Sequence, residues 1–240
     1  MNEAQRQEFL VLSRAHYAAD MLVQGTYGSD ESGAFRGCSV GCHVHHISSS
    51  YRGVSHHAAI AGHYGYPEWL VRLQDTIFEG LPRIECNRWH VQLAGTLYTL
   101  PDDYDWQAAM HRVLVATLRV ALAHAGTAAP VVQAVIILHE RAARGEAVTE
   151  EEWTKAAEAA TKAVEAATKA ATWAALEVVR AALEVVRAAT KVAEVAARAA
   201  AGAAAEAARA AEWAAEATRM AYQQIRDGVL TALAQTGEKS

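Results

Sequence analysis

Two cysteines and five histidines are concentrated between Gly37 and His57. If Cys38 opens a helical turn, Cys42 lies on the same helix face, and His45 follows three positions later on that face. His57 comes after a loop containing Gly and Ser that can fold it back towards them. Thiolates and imidazoles are ligands that zinc prefers, usually four in number. The spacing therefore predicts a zinc site formed by Cys38, Cys42, His45 and His57.

The spacing of these ligands is not that of a standard zinc finger, so other imidazoles remain alternatives. The spare histidines in or near the same stretch are His43, His46, His56 and His63. A closed set of four protein ligands would make the zinc structural, whereas three ligands and a water molecule would allow catalysis. The sequence leaves both possibilities open.

The same residues allow a second chemistry, in which Cys42 acts as a nucleophile. A glycine precedes it and permits a tight turn, and a helix N-terminus would lower the pKa of its thiol. His57 or His45 would then act as the base, with Asp75 or Glu79 orienting the imidazole. Both cysteines could instead be small buried hydrophobic residues. Cysteine-dependent hydrolysis or group transfer is therefore the alternative to metal binding.

Composition and charge exclude several other classes of function. The net charge is -5 with both signs interspersed, which argues against a nucleic-acid-binding surface. The chain lacks a charge-free apolar run of about 18 residues, so we expect no membrane span, and its first residues lack a signal-peptide pattern. The three cysteines are odd in number and unevenly spaced, which favours a reducing cytoplasm over a disulfide framework.

The composition changes abruptly near residue 146. All three cysteines, all 11 histidines and all four prolines precede that point, and an Ala-rich tract follows it. We therefore predict a helical domain carrying the Cys/His site over residues 1–146 and an Ala-rich helical arm over residues 147–240.

Within the arm, Lys155, Lys162 and Lys169 recur every seven residues, and the segment Ala-Leu-Glu-Val-Val-Arg-Ala occurs twice in tandem. Such spacing keeps the charges on one strip of a helix and leaves the other faces apolar for packing. The pattern therefore predicts a long helix or a helical hairpin. Residues 151–235 are expected to contact a second copy of the chain or a helical partner.

In the first region the apolar periodicity predicts helices rather than strands, and the fold class is all-α. Proline before a helix and glycine after it support the boundaries of the helix beginning at residue 68. Cys86 stands alone in a helical pattern and is predicted to lie in the core. The predicted helices cover residues 3–24, 68–79, 83–98, 104–125 and 130–144.

Three features of the chain occur together. They are Gly-Cys-Ser-Val-Gly-Cys-His-Val-His at residues 37–45, a later His57, and Arg-Leu-Gln-Asp-Thr-Ile-Phe-Glu-Gly-Leu-Pro at residues 72–82. With its Ala-rich end, the chain resembles a family of uncharacterised proteins of phages and bacteria. The resemblance implies a phage or prophage setting and no particular reaction.

The resemblance also selects among the candidate residues. It singles out Cys38, Cys42, His45 and His57 from the other thiols and imidazoles, and it adds Arg72, Asp75 and Glu79. The chain departs from the family pattern at Gln74, where the family usually has Glu, and at His43, where it usually has Thr.

Overall fold

A computed structural model describes residues 1–29, 34–47, 56–123, 128–159 and 219–235, and residues 125, 162 and 216. In this part of the chain every regular element is a helix, and extended pairing is limited to two isolated bridges, Leu22 with Gly37 and Ser29 with Arg36. The predicted all-α fold is thereby confirmed. None of the helices in these ranges combines the length and the apolar character needed to cross a membrane.

The helix boundaries agree closely with the apolar periodicity from residue 68 onwards. The prediction for residues 104–125 is too long at both ends, and those for residues 68–79, 83–98 and 130–144 differ from the structure by one residue at most. The helices are α1 Glu3–Ala18, α2 Ser39–Ile47, α3 His56–Tyr64, α4 Glu68–Gly80, α5 Arg83–Tyr98, α6 Trp106–Leu122, α7 Ala129–Ala143, α8 over residues 150–159 and α9 over residues 219–234.

The first helix ends at Ala18 and not at residue 24 as predicted. Asp20 adopts a left-handed conformation with φ of 52°. Its N–H donates to the carbonyl of Tyr17 at 3.2 Å, and the N–H of Met21 donates to that of His16 at 3.0 Å. These two bonds form a Schellman ending. The apolar pattern continues past it because Leu22 is buried through extended pairing with the chain around residue 37.

Helices α1 to α5 form the head of the molecule. Helix α1 packs along α5, while α2, α3 and α4 contact one another in turn. The largest fully buried side chain is Trp89 of α5, and its indole N–H donates to the carbonyl of Gln74 in α4 at 3.0 Å. Cys86 is buried, as its helical context predicts. This packing fixes the relative positions of α2 and α4, which supply most of the candidate site.

The end of the Ala-rich region returns to the head. Val229 and Leu233 of α9 are fully buried in the common core. The hydroxyl of Tyr104 donates to the carbonyl of Leu233 at 2.6 Å, and Arg112 Nε donates to that of Ala232 at 3.1 Å. Helix α9 thus completes the core formed by residues of the first region. Most of the predicted arm, including its repeats, lies outside the described residues, and the division at residue 146 stays a prediction.

Candidate metal centre

A loop over residues 25–28 lies directly on the first turn of α2 and forms one wall of a cleft. The N–H of Cys38 donates to the carbonyl of Thr26 at 2.8 Å. A Cβ on Gly37 would lie 2.6 Å from the carbonyl oxygen of Tyr27, and one on Gly41 only 1.7 Å from it. The two glycines that flank the cysteines therefore allow the loop to approach α2. Their packing role accounts for the glycine spacing of the motif.

Asp75 of α4 is the central acceptor of this cleft. Its Oδ1 lies 3.5 Å from the Sγ of Cys38. Its Oδ2 lies 3.0 Å from the Nε2 of His57, in the first turn of α3, and accepts a hydrogen bond from the Tyr27 hydroxyl at 3.2 Å. The carboxylate thus joins a thiol, an imidazole and a phenol that come from three separate parts of the chain.

Glu79 lies one helical turn beyond Asp75 on the same face of α4. Its Oε2 accepts a hydrogen bond from the N–H of Gly25 at 2.7 Å. One ligand atom each from Cys38, Asp75 and Glu79 lies within 4.8 Å of the others, so this group could hold a metal ion. The cleft has a volume of about 260 Å³ and is lined by these three residues and by Gly25, Thr26 and Tyr27.

Burial and neighbouring negative charge raise the pKa of three groups of the cleft, the Cys38 thiol, the Tyr27 phenol and the Glu79 carboxyl. Burial raises the pKa of the Cys38 thiol, and the charge of Asp75 raises it further. Burial and then Asp75 also raise the pKa of Tyr27 to about 12. Burial is the main cause that raises the pKa of the Glu79 carboxyl. A divalent cation reverses such shifts because it stabilises the thiolate and the carboxylates directly. The cleft therefore suits a cation better than a free thiolate nucleophile.

Of the four ligands predicted from the spacing, Cys38 lines this cleft and His57 contacts it through Asp75. Cys42 is not among the residues that line the cleft, and its Sγ lies 3.4 Å from the carbonyl oxygen of Gly37 and 3.7 Å from that of Met21. His45 stacks on Phe35, with ring centroids 3.8 Å apart. Among the described residues, neither belongs to a group whose ligand atoms converge.

The alternative site for thiol catalysis is likewise divided between two places. His57, Asp75 and Glu79 lie at the cleft, whereas the hydrogen bonds of the Cys42 thiol go to main-chain carbonyls. Burial raises the pKa of that thiol to about 12. Arg72, added by the resemblance, forms an ion pair with Glu68 on the exposed side of α4. Tyr27 contacts the carboxylate of Asp75, and Gly25 contacts that of Glu79. Neither residue was predicted from the spacing.

A second group of potential ligands lies inside the head. His16 of α1, His43 of α2 and His90 of α5 are all buried, and one nitrogen of each lies within 4.8 Å of the others. Sequence reasoning missed His16 and His90. A signal was present, because His16 follows the core residue Phe9 by seven positions and His90 follows Cys86 by four, which places both on buried helix faces.

Hydroxyl groups hold two of these three rings. His43 Nε2 lies 3.1 Å from Ser13 Oγ and its Nδ1 lies 3.2 Å from the Tyr64 hydroxyl, while His90 Nδ1 lies 2.7 Å from Ser39 Oγ. Burial lowers the pKa of His16 to about 4 and that of His90 to about 3, and it holds the pKa of His43 well below its ordinary value. All three rings are therefore neutral near pH 7.

Consecutive residues are divided between the cleft and the buried histidines. Cys38 and Asp75 belong to the cleft, and their neighbours Ser39 and Gln74 belong to the buried network. Gln74 is fully buried, donates from Nε2 to Ser39 Oγ at 2.5 Å, and accepts at Oε1 from the Tyr66 hydroxyl at 2.8 Å. The position where the resembling family usually has Glu is therefore part of the network beneath the site and not of the cleft itself.

Comparison with protein-family models, with curated proteins and with solved structures found no match to this chain. Over the residues that it describes, the structure defines a helical protein with two groups of His, Cys, Asp and Glu side chains that could hold a metal ion.

Proposed function

We propose that this protein binds a zinc ion in the cleft through Cys38, Asp75 and Glu79, with one ligand position accessible from the cleft. The observation that carries this proposal is the convergence of the three ligand atoms within 4.8 Å of one another. Three protein ligands with an accessible position are the arrangement of catalytic zinc sites, whereas structural sites are closed by four. His57 supports the site through its hydrogen bond to Asp75, the usual way in which an outer group orients a ligand.

The separation of the ligand atoms supports zinc. With Zn–S of about 2.3 Å and Zn–O of about 2.1 Å, a sulfur and an oxygen on one tetrahedral ion lie about 3.6 Å apart. The Sγ of Cys38 and the Oδ1 of Asp75 are 3.5 Å apart. Glu79 uses one oxygen to accept from Gly25, and its other oxygen remains for a ligand role. The Sγ of Cys38 and the Oδ1 of Asp75 therefore need little rearrangement to bind the ion.

The charge of the cleft also supports a cation. One thiol and two carboxyl groups converge there, and the six residues that line the cleft include no lysine or arginine. Such a crowded acidic group is normally stabilised by a metal ion or by a protonated member. Zinc accepts the mixture of sulfur and oxygen ligands, whereas magnesium and calcium prefer oxygen alone.

The test measures metal content and ligand type together. Full-length protein made without a histidine tag should bind zinc at the cleft with a sulfur neighbour visible by X-ray absorption. Cys38→Ser and Asp75→Asn should each weaken zinc binding by at least about 100-fold, since removing a ligand costs no less than removing an outer partner. Chelator competition gives the affinity.

Matched controls separate this ligand set from the one predicted by spacing. Cys42→Ser, His45→Ala and Cys86→Ser should leave the affinity unchanged, since these side chains lie outside the cleft. Loss of zinc in Cys42→Ser together with retention in Asp75→Asn would overturn the proposal in favour of the predicted set of two cysteines and two histidines.

The setting of this activity rests on the sequence. The resemblance supports a phage or prophage role, and free thiols support a reducing cytoplasm. All three cysteines are free, which agrees with that compartment. A second copy of the chain or a helical partner contacting residues 151–235 also stays a prediction, because most of that range lies outside the described residues.

A further inference from the structure

We propose that His16, His43 and His90 form a second, buried metal site that binds a d¹⁰ ion, Cu⁺ in preference to Zn²⁺, independently of the cleft. The three residues come from α1, α2 and α5, and their ring centroids lie 4.9 to 5.6 Å apart. Each ring offers a nitrogen within 4.8 Å of the other two.

Two unsatisfied nitrogens point to a missing ligand. Within the described part of the chain, His16 Nδ1 and His90 Nε2 are buried and have no hydrogen-bond partner. The residues are 5% and 0% exposed. Buried polar atoms are nearly always paired in folded proteins, so an orphaned atom requires an explanation. Two of them in one cluster of three imidazoles are explained together by an ion that accepts both lone pairs.

The surrounding hydroxyls suit this role. Ser39 Oγ has two lone pairs, so it can accept from the Gln74 amide and also from His90 Nδ1–H. That arrangement leaves the lone pair of His90 on Nε2. His43 contacts Ser13 through one nitrogen and Tyr64 through the other, so an ion at one nitrogen displaces the hydroxyl there, which turns to another acceptor, while the other nitrogen keeps its hydroxyl. Metal-binding histidines almost always hold such an outer partner through their second nitrogen.

The chemistry of the donors selects the ion. Imidazole nitrogen binds copper and zinc well, whereas magnesium, calcium and manganese prefer oxygen ligands. The three rings are neutral, and the site is buried. The cost of burying an ion rises with the square of its charge, so Cu⁺ loses less hydration energy there than Zn²⁺. The cleft, with its anionic ligands, has the opposite preference.

The experiment uses full-length protein carrying Cys38→Ser and Asp75→Asn, so that the cleft is disabled. After treatment with a chelator, the protein is titrated with Cu⁺ under anaerobic conditions and, separately, with Zn²⁺. Side-chain ¹⁵N NMR of the histidines should show His16, His43 and His90 shifting together at one equivalent of Cu⁺, and X-ray absorption should show nitrogen neighbours without sulfur. His111 and His139, which contact each other at 2.9 Å elsewhere, should not shift and serve as the internal control.

Two outcomes of these titrations overturn the proposal. Unchanged signals from the three rings, or sulfur neighbours around the bound copper, would place the ion elsewhere. Zn²⁺ binding to these rings as tightly as Cu⁺ would overturn the preference based on charge. A failure at the cleft cannot produce either outcome, because the cleft is already disabled.

A variant provides a further check. His90→Gln should lower Cu⁺ affinity by at least about 100-fold, while His111→Gln should leave it unchanged. Circular dichroism of both variants establishes that they are folded. If His90→Gln does not fold, the NMR titration of the protein with its three histidines intact still decides the question.

Discussion

The cleft and the buried histidine cluster lie against the same two segments of the chain but differ in charge and exposure. Cys38 and Asp75 face a cleft where acidic groups converge, whereas the neighbouring Ser39 contacts His90 in the core and Gln74 donates to Ser39. The side chains of adjacent residues on a helix point in directions about 100° apart. That angle is sufficient for one side chain to face the cleft and its neighbour to face the core. The packing of α2 against α4 thus positions ligands of the cleft and, at the adjacent residues, polar groups that hold part of the histidine cluster.

The two regions contribute differently to binding and to stability. The cleft is assembled from the loop over residues 25–28, from Cys38 just before α2 and from the C-terminal half of α4, and of its three ligand groups Cys38 is buried, Asp75 half-buried and Glu79 exposed. The histidine cluster joins three helices and replaces what would otherwise be hydrocarbon in the core. We therefore expect changes in the cleft to alter binding more than stability, and changes in the cluster to alter stability.

Truncating the central histidine should have the largest effect on stability. His43 is fully buried and stacks on Phe9 with ring centroids 4.3 Å apart. His43→Ala leaves a cavity and should lower the free energy of unfolding by about 3–5 kcal/mol, as for other large rings in cores. Urea denaturation of the metal-free protein measures this loss in the free energy of unfolding. Glu79→Gln, the control in the cleft, should cost less than about 1 kcal/mol because that side chain is exposed. Equal losses in the two variants would refute the division of roles.

Acid should destabilise the cluster in metal-free protein. The folded pKa values of His16 and His90 lie at about 4 and about 3, below the ordinary value of 6.5. The unfolded chain therefore binds protons first as the pH falls, and the folded state loses stability from pH 6.5 downwards towards those lower values. Each imidazole contributes up to about 1.4 kcal/mol per pH unit in that window.

Denaturant unfolding between pH 7 and pH 5 measures this slope. His90→Leu removes one of the neutral imidazoles and should flatten the dependence, since one fewer group takes up a proton on unfolding. A slope that stays the same in this variant would contradict the assignment of the acid sensitivity to the cluster.

The smallest expected change concerns the wall of the cleft. A Cβ at Gly41 would lie 1.7 Å from the Tyr27 carbonyl oxygen, whereas one at Gly62 meets no atom within 4 Å. Gly41→Ala should destabilise the protein by about 1–3 kcal/mol through forced displacement of the loop, and it should weaken zinc binding. Gly62→Ala in α3 should stabilise by roughly 0.5–1 kcal/mol. Thermal unfolding compares the two, and a Gly41→Ala protein that matches wild type would contradict the close packing of the loop.

Much of the fold could be predicted because local signals were strong. Helix α4 begins after Pro67 and ends at Gly80, and both residues mark these positions in the sequence. The end of α1 could not be predicted from periodicity, because Leu22 keeps the apolar pattern while it is buried by extended pairing with Gly37. An apolar pattern records burial and does not distinguish which backbone conformation provides it.

The candidate site could be predicted only in part. Spacing along one helix correctly placed Cys38 and Cys42 one turn apart, since the N–H of Cys42 donates to the carbonyl of Cys38 at 3.0 Å. It did not reveal that the two thiols have different surroundings. The thiol-catalysis alternative paired Asp75 or Glu79 with His57, and the structure has Asp75 Oδ2 3.0 Å from His57 Nε2. Neither the spacing nor the resemblance indicated that Asp75 contacts Cys38, and Tyr27 carried no signal beyond its loop position.

The helical character of the described chain and the stretch that holds its reactive groups follow from the sequence, because both depend on composition and short-range spacing. Which of those groups meet follows only from the packing of the helices. Asp75 reaches Cys38 across 37 positions of the chain, and His16, His43 and His90 converge from three helices. Contacts of that kind depend on how whole helices pack, and that packing is a collective property of the core.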